Sequence, residues 1–144
     1  MALKKLGASV VILNASGHVL LVKHTYGRLN WELPGGNAEA DESIIATALR
    51  EVREETGLQV RALHTTGIYY EPEDDIHQFV FLCQPDDPAA LPEPDAAEIS
   101  QCAFWPLTAL PRPISDFTIR RITDAVAGSQ QPLPALIAPR HWFE

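Results

Sequence analysis

Residues 34 to 57 impose the tightest constraint on what this chain can fold into. Pro34-Gly35-Gly36 ends whatever strand precedes it, and Asp41 to Glu55 then sets Ile45, Ala48, Leu49 and Val52 at the i, i+3, i+4, i+7 spacing of an amphipathic helix. Gly57 supplies the stop. The same helix carries Glu51, Glu54 and Glu55 at i, i+3 and i+4, where neighbouring Cβ atoms lie within about 6 Å. Three like charges on one face destabilise a helix, and Arg50 and Arg53 offset only part of that. An exposed charged face is the ordinary explanation for such a run. Here the cluster borders the apolar stripe instead of opposing it, and the Gly-Gly turn lets backbone carbonyls approach a ligand. Several carboxylates with a carbonyl are the hard oxygen donors that Mg²⁺ or Mn²⁺ takes.

The rest of the chain reads as one domain. Its 144 residues fall within the roughly 100 to 200 of a single domain, long enough to bury about 70% of the unfolded surface without a disulfide framework. Cys83, in Phe79-Val80-Phe81-Leu82-Cys83, and Cys102, beside Ala103-Phe104-Trp105, read as buried thiols of a reducing compartment. Two nearly continuous apolar runs, Ala8 to Leu13 and His18 to Lys23, flank Asn14-Ala15-Ser16-Gly17 and predict an antiparallel hairpin buried on both faces. Leu58 to Tyr70, His77 to Gln84 and Ala103 to Pro106 predict further strands, and the Pro-rich stretch 85–97 a surface loop. Ser115 caps a second predicted helix, Asp116 to Val126, before Gly128. Residues 1–128 form the expected domain. The tail 129–144 is too apolar to be free and is expected to pack on the domain or on a partner subunit.

Charge narrows the partners. Eleven Lys plus Arg against 19 Asp plus Glu give −8, which argues against a nucleic-acid duplex. Nine acids and no Lys or Arg occur from Glu71 to Glu98, so an anionic ligand near this region needs a cation as intermediary. The opening residues are followed by only about seven apolar ones, too few for a membrane span. A soluble cytoplasmic protein, monomer or homodimer, is the expectation.

Gly36, five residues, Glu42, seven residues, then Arg50-Glu51-Val52-Arg53-Glu54-Glu55-Thr56-Gly57-Leu58 resembles the Nudix box of the Nudix hydrolases at every specified position. Average residue usage puts a chance match in a chain of this length on the order of one in ten million. Trp31-Glu32-Leu33-Pro34-Gly35, the early apolar runs and Phe104-Trp105-Pro106 extend the likeness. One departure is Asp41, where these proteins usually have glycine. The resemblance implies an α/β fold, the family's α/β/α sandwich around a mixed β-sheet, with a helix on each face. It implies a Mg²⁺-dependent hydrolase, with Mn²⁺ able to substitute, that cleaves a nucleoside diphosphate linked to another moiety by attack of water on phosphorus. Glu51, Glu54, Glu55 and the Gly35 carbonyl match the family's metal ligands. Arg50 matches the arginine that orients the helix carboxylates, Glu42 the glutamate that supports it, and Gly36 and Gly57 complete the box. The general base comes from the box helix or a downstream loop, with Glu54 and Glu98 as the respective candidates.

Substrate contacts are expected from Arg28, ahead of the box, and from Tyr70. Pro72 falls 14 residues after Leu58, close to a position that marks ADP-ribose hydrolases in this family. A (d)NTP pyrophosphohydrolase and an ADP-ribose or nucleotide-sugar pyrophosphatase are both open on these grounds. A Nudix-like module that senses a nucleotide without cleaving it is the alternative, although no charged box residue is missing.

Overall fold

The computed structural model describes residues 3–95, 97–128 and 130–144. Met1, Ala2, Ala96 and Ser129, which belong to the expected opening, loop and tail, lie outside the described residues. In chain order the elements are β1 (Lys5–Ile12), β2 (Val19–His24), β3 (Trp31–Glu32), β4 (Gly35–Asn37), α1 (Ile44–Thr56), β5 (Val60–Glu71), β6 (Ile76–Pro85), β7 (Ile99–Trp105), β8 (Ile114–Ser115), α2 (Asp116–Ala127), β9 (Ala135–Leu136) and β10 (Trp142–Phe143).

A five-stranded mixed sheet, ordered β4-β1-β6-β5-β9, forms the centre. Strand β1 runs antiparallel to β4 and parallel to β6. Because side chains alternate across a strand, β1 sends Ala8, Val10 and Ile12 to a core shared with Ala48 and Val52 of α1. Its Val11 goes to a second core with Phe117, Ile122 and Ala125 of α2. The helices therefore cover opposite faces, the layered α/β/α arrangement.

The expected hairpin is a correction. Its turn forms, with Asn14 Oδ1 accepting from the Ser16 and His18 backbones and Gly17 at φ 75°. Only the Leu13↔Val19 bridge follows, after which the two strands part. The ladder positions beside them are taken by other strands: β1 lies between β4 and β6, whereas β2 lies between β3 and β7 in a separate three-stranded sheet.

Helix α1 begins at Ile44, later than expected, because the Ser43 hydroxyl accepts from the Ala46 N–H and caps it there. Its buried face is also rotated from the expected stripe. Ile45 and Leu49 are exposed, while Thr47, Ala48, Val52, Glu55 and Thr56 are buried. The turn toward Glu55 brings that carboxylate against β4. Cys102 is only half-buried, against expectation, while Cys83 is buried. The tail lies on its own chain: β9 pairs with β5, Ile137 enters the core, and β10 pairs with β8. Among the described residues no helix is long and apolar enough to cross a membrane.

Candidate active site

The box residues meet where β4 passes the last turns of α1. Arg50 is the hub. Its Nε and Nη2 donate to both oxygens of Glu42 at 2.7 and 3.0 Å, Nη1 donates to Glu51 at 2.8 Å and Glu54 at 3.2 Å, and Nη2 also reaches the Asn37 carbonyl. Glu39 stands 3.7 Å away. Hydrogen bonds from Arg50, Thr47 and the Glu39 backbone hold the Glu42 carboxyl at about 2. Asp41, the departure from the family pattern, sits at φ 60°, a left-handed conformation that favours glycine but that aspartate tolerates better than most residues.

Glu55 is the buried member of the acid group, 6% exposed, and accepts from the Gly35 N–H at 2.8 Å. Burial, with the charges of Glu51, Glu98 and Glu32 added, pushes its carboxyl up to about 8 despite that bond. Burial also raises Glu51 against the pull of Arg50. A Cβ on Gly36 would come within 2.5 Å of Glu51 Oε1, so only glycine lets the backbone lie this close to the carboxylate. Among the described residues no three acidic, histidine or cysteine side chains stand together as a ready metal-holding group. The convergence expected of Glu51, Glu54 and Glu55 is thus incomplete: Glu51 and Glu54 share Arg50 Nη1, Glu55 turns instead to the Gly35 N–H, and Glu54 stays half-exposed. Desolvated hard oxygens with too little positive charge around them, beside a glycine backbone, nonetheless have the chemistry a divalent cation requires.

Glu98 lies exposed just before β7, and its charge is felt at Glu51, Glu55, His24 and Tyr26. That loop is joined to the one after β2 by Thr25 N–H donating to the Glu98 carbonyl. The other expected contacts are placed differently. Arg28 pairs with Glu144 at 3.3 Å and lies 4.7 Å over the Trp142 ring, engaged with the tail. The Tyr70 hydroxyl donates to Asp75 at 2.7 Å. Pro72 is exposed in the turn between β5 and β6, its carbonyl accepting from Asp75. Neither residue lines the cleft beside Gly35 and Gly36.

That cleft, about 120 Å³, is bounded by Gly35, Gly36 and Asn37 and by His24, Tyr26, Glu32, Gln78, Arg121 and Arg140. His24 and Tyr26 stack at 4.6 Å, and burial lowers the His24 pKa, favouring the neutral ring. Sequence reasoning missed the second charged assembly in its wall. Arg121, 1% exposed, donates to Glu32 at 2.7 Å and to Ser9 at 2.8 Å. Arg140 donates to Glu32 at 2.9 Å and to Glu71 at 3.1 Å. Burial would raise Glu32, yet Arg121, Arg140 and the Leu33 N–H hold it at about 2. One signal was available for Arg121: it falls at i+4 from Phe117 and i−4 from Ala125, on the apolar stripe of α2. A larger hollow of about 490 Å³, beside His64 and Gly67, gathers no charged side chains.

The fold agrees with what the chain is similar to. The NUDIX domain family profile matches residues 3–126, and the chain belongs to that family. A Bacillus subtilis protein provisionally named as an 8-oxo-dGTP diphosphatase is 40% identical over 76 residues, covering 53% of this chain and 50% of that protein. The human 8-oxo-dGDP phosphatase NUDT18 is 33% identical over 134 residues, covering 90% of this chain and 41% of its own length. The chain thus spans half or less of these curated relatives. A NUDIX hydrolase structure from Nitrosomonas europaea superposes with TM-score 0.70 at 27% identity, covering 91% of this chain and 94% of that one.

Proposed function

We propose that this chain is a divalent-metal-dependent hydrolase of nucleoside di- or triphosphates that cuts a phosphoanhydride by attack of water on phosphorus. The observation that carries the reading is the uncompensated acid group: one arginine among Glu39, Glu42, Glu51 and Glu54, with Glu55 buried beside it and pushed up to about 8. Such an arrangement weakens the apo fold and is explained by a cation it exists to hold.

Glu51, Glu54, Glu55 and the Gly35 carbonyl would hold Mg²⁺ or Mn²⁺. When bound, the ion supplies charge neutralisation for the anhydride oxygens and a lowered pKa for a coordinated water. Arg50 fixes the rotamers of Glu51 and Glu54, and Glu42 fixes Arg50 from the other side. Glu54, half-exposed on α1, or Glu98, on the loop before β7, accepts the proton of the attacking water. The new P–O bond forms as the bond to the leaving phosphate breaks, and the proton passes to solvent. No covalent intermediate on the protein is needed.

The names of the two curated relatives, an 8-oxo-dGTP diphosphatase and an 8-oxo-dGDP phosphatase, support a nucleoside di- or triphosphate substrate. Pro72, the residue that favoured ADP-ribose, serves a turn. The test is product analysis by mass on dGTP, 8-oxo-dGTP, 8-oxo-dGDP, ADP-ribose and dinucleoside polyphosphates, with Mg²⁺, Mn²⁺ or chelator. Metal-dependent release of phosphate or pyrophosphate from the deoxynucleotides, lost in Glu54→Gln/Glu55→Gln, is expected. Glu98→Gln, assayed separately, assigns the base. Nucleotide binding and metal-dependent stabilisation with no turnover would replace the hydrolase with a sensing module.

A further inference from the structure

Glu32 lines the cleft and Glu71 is buried behind its Gln78 and Arg140 side, and these two carboxylates are balanced by Arg121 and Arg140 only because the C-terminal segment reaches them. Arg121 is committed to its surroundings, with its donors taken by the Phe117 carbonyl, Ser9, Thr118 and Glu32. Glu71 is buried, and its carboxylate has Arg140 on Oε1 and the neutral Gln78 amide on Oε2. Arg140 is therefore the one cation within salt-bridge distance of Glu71 among the described residues.

The segment is built to hold that guanidinium still. Ile137 is buried and its N–H donates to the Tyr70 carbonyl. Four residues on, the His141 N–H donates to Asp116 Oδ1 and its carbonyl accepts from the Asp116 N–H. Between these two anchors Arg140 lies 5.1 Å over the Phe117 ring and spans Glu32 and Glu71.

We propose that Arg140 is a positioning residue for nucleotide binding, acting by neutralising the Glu71 carboxylate behind it so that the negative charge under the cleft wall does not repel an anionic nucleotide. The inference rests on the nucleotide-hydrolase reading above. An unpaired carboxylate in a poorly hydrated interior is felt at longer range than one in water, so losing its partner weakens binding without touching the groups that do chemistry.

The experiment compares the parent, Arg140→Met, Arg140→Lys, Glu71→Gln and Arg140→Met/Glu71→Gln in steady-state kinetics on 8-oxo-dGTP, with calorimetric binding of 8-oxo-dGMP. Arg140→Met is expected to raise KM about tenfold, a loss of about 1.4 kcal/mol, with kcat within about threefold, and more strongly at low ionic strength. Lysine keeps KM within about threefold of the parent, and the added Glu71→Gln returns it to that range. A KM that stays raised in the double variant overturns the proposal, as does an unchanged KM in Arg140→Met. Should Arg140→Met fail to fold, the step from Glu71→Gln to the double variant carries the same comparison. There a change below about threefold supports the proposal and a tenfold rise overturns it. A parent that neither binds 8-oxo-dGMP nor turns over 8-oxo-dGTP fails the functional reading itself, a result distinct from an active parent with indifferent variants.

Discussion

Two arginine–carboxylate assemblies adjoin the short strand β4, and their charge arithmetic differs. On α1 a single arginine, 16% exposed, serves Glu39, Glu42, Glu51 and Glu54 within 4 Å. At the cleft wall Arg121 and Arg140 face Glu32 and, behind the lining, Glu71, two against two, with Arg121 1% exposed. Burial alone does not decide what such a group is for. The balanced assembly can be deep because each charge has its opposite. The unbalanced one keeps an excess of negative charge next to a glycine backbone, which is tolerable only near solvent or with a cation to come. The balanced assembly specifies shape and the unbalanced one is set up for chemistry.

The largest effect that would break this contrast is at Glu55. Glu55→Gln should lower metal-dependent turnover on the order of 10³-fold. In chelator it should raise the melting temperature, since it removes a carboxylate that burial disfavours in its charged form. A drop below about tenfold would mean the charge excess is not catalytic.

Next comes Arg121→Met, which leaves Glu32 with one arginine in a buried wall and should cost about 3 to 5 kcal/mol in urea unfolding. Adding Glu32→Gln should recover part of that loss. The same pair sets an acid limit. Burial raises Glu32, but its arginines hold it at about 2, below its ordinary 4.5. Its contribution to stability is complete above about pH 4.5 and is lost as pH falls toward 2, so the urea midpoint should decline across that window, and less so in Glu32→Gln.

Arg50→Lys sharpens the other side. An ammonium cannot fork to Glu42 while reaching Glu51 and Glu54, so about 1 to 2 kcal/mol of stability should go, together with a fall in kcat. The smallest effect is expected from Ser115→Ala, which removes the cap of α2 at about 1 kcal/mol, read as a shift in the urea midpoint.

The box was legible because its logic is local. Glu51, Glu54 and Glu55 lie within one turn or so of each other, and Gly57 takes the left-handed conformation expected of a helix stop, at φ 72°. The direction the helix faces was not legible. Ile45 and Leu49 suggested the buried stripe, but Thr47 and Glu55 occupy it, because Thr47 donates to Glu42 and Glu55 accepts from Gly35. Polar side chains with partners in hand compete with apolar ones for the interior. The cleft wall was illegible for a different reason. Arg121 and Glu32 are 89 residues apart and Arg140 and Glu32 are 108, distances over which no spacing rule operates. The parting of β1 from β2 has the same origin: a turn signal is local, while the strand that finally lies beside β1 is supplied from far along the chain.

That strand is β6, in parallel register from Lys5↔Ile76 to Ile12↔Cys83. A pairing that closes so long a loop forms late and cooperatively, because the entropy of closure precedes any reward from contacts. Val52 and Ala48 share their core with Phe81 and Cys83, and Gly35 and Gly36 are held in place by β1 itself. A peptide cut to residues 36–58 would carry every signature residue and assemble nothing. What reads as a motif in one dimension is, as a folding unit, a property of the whole sheet.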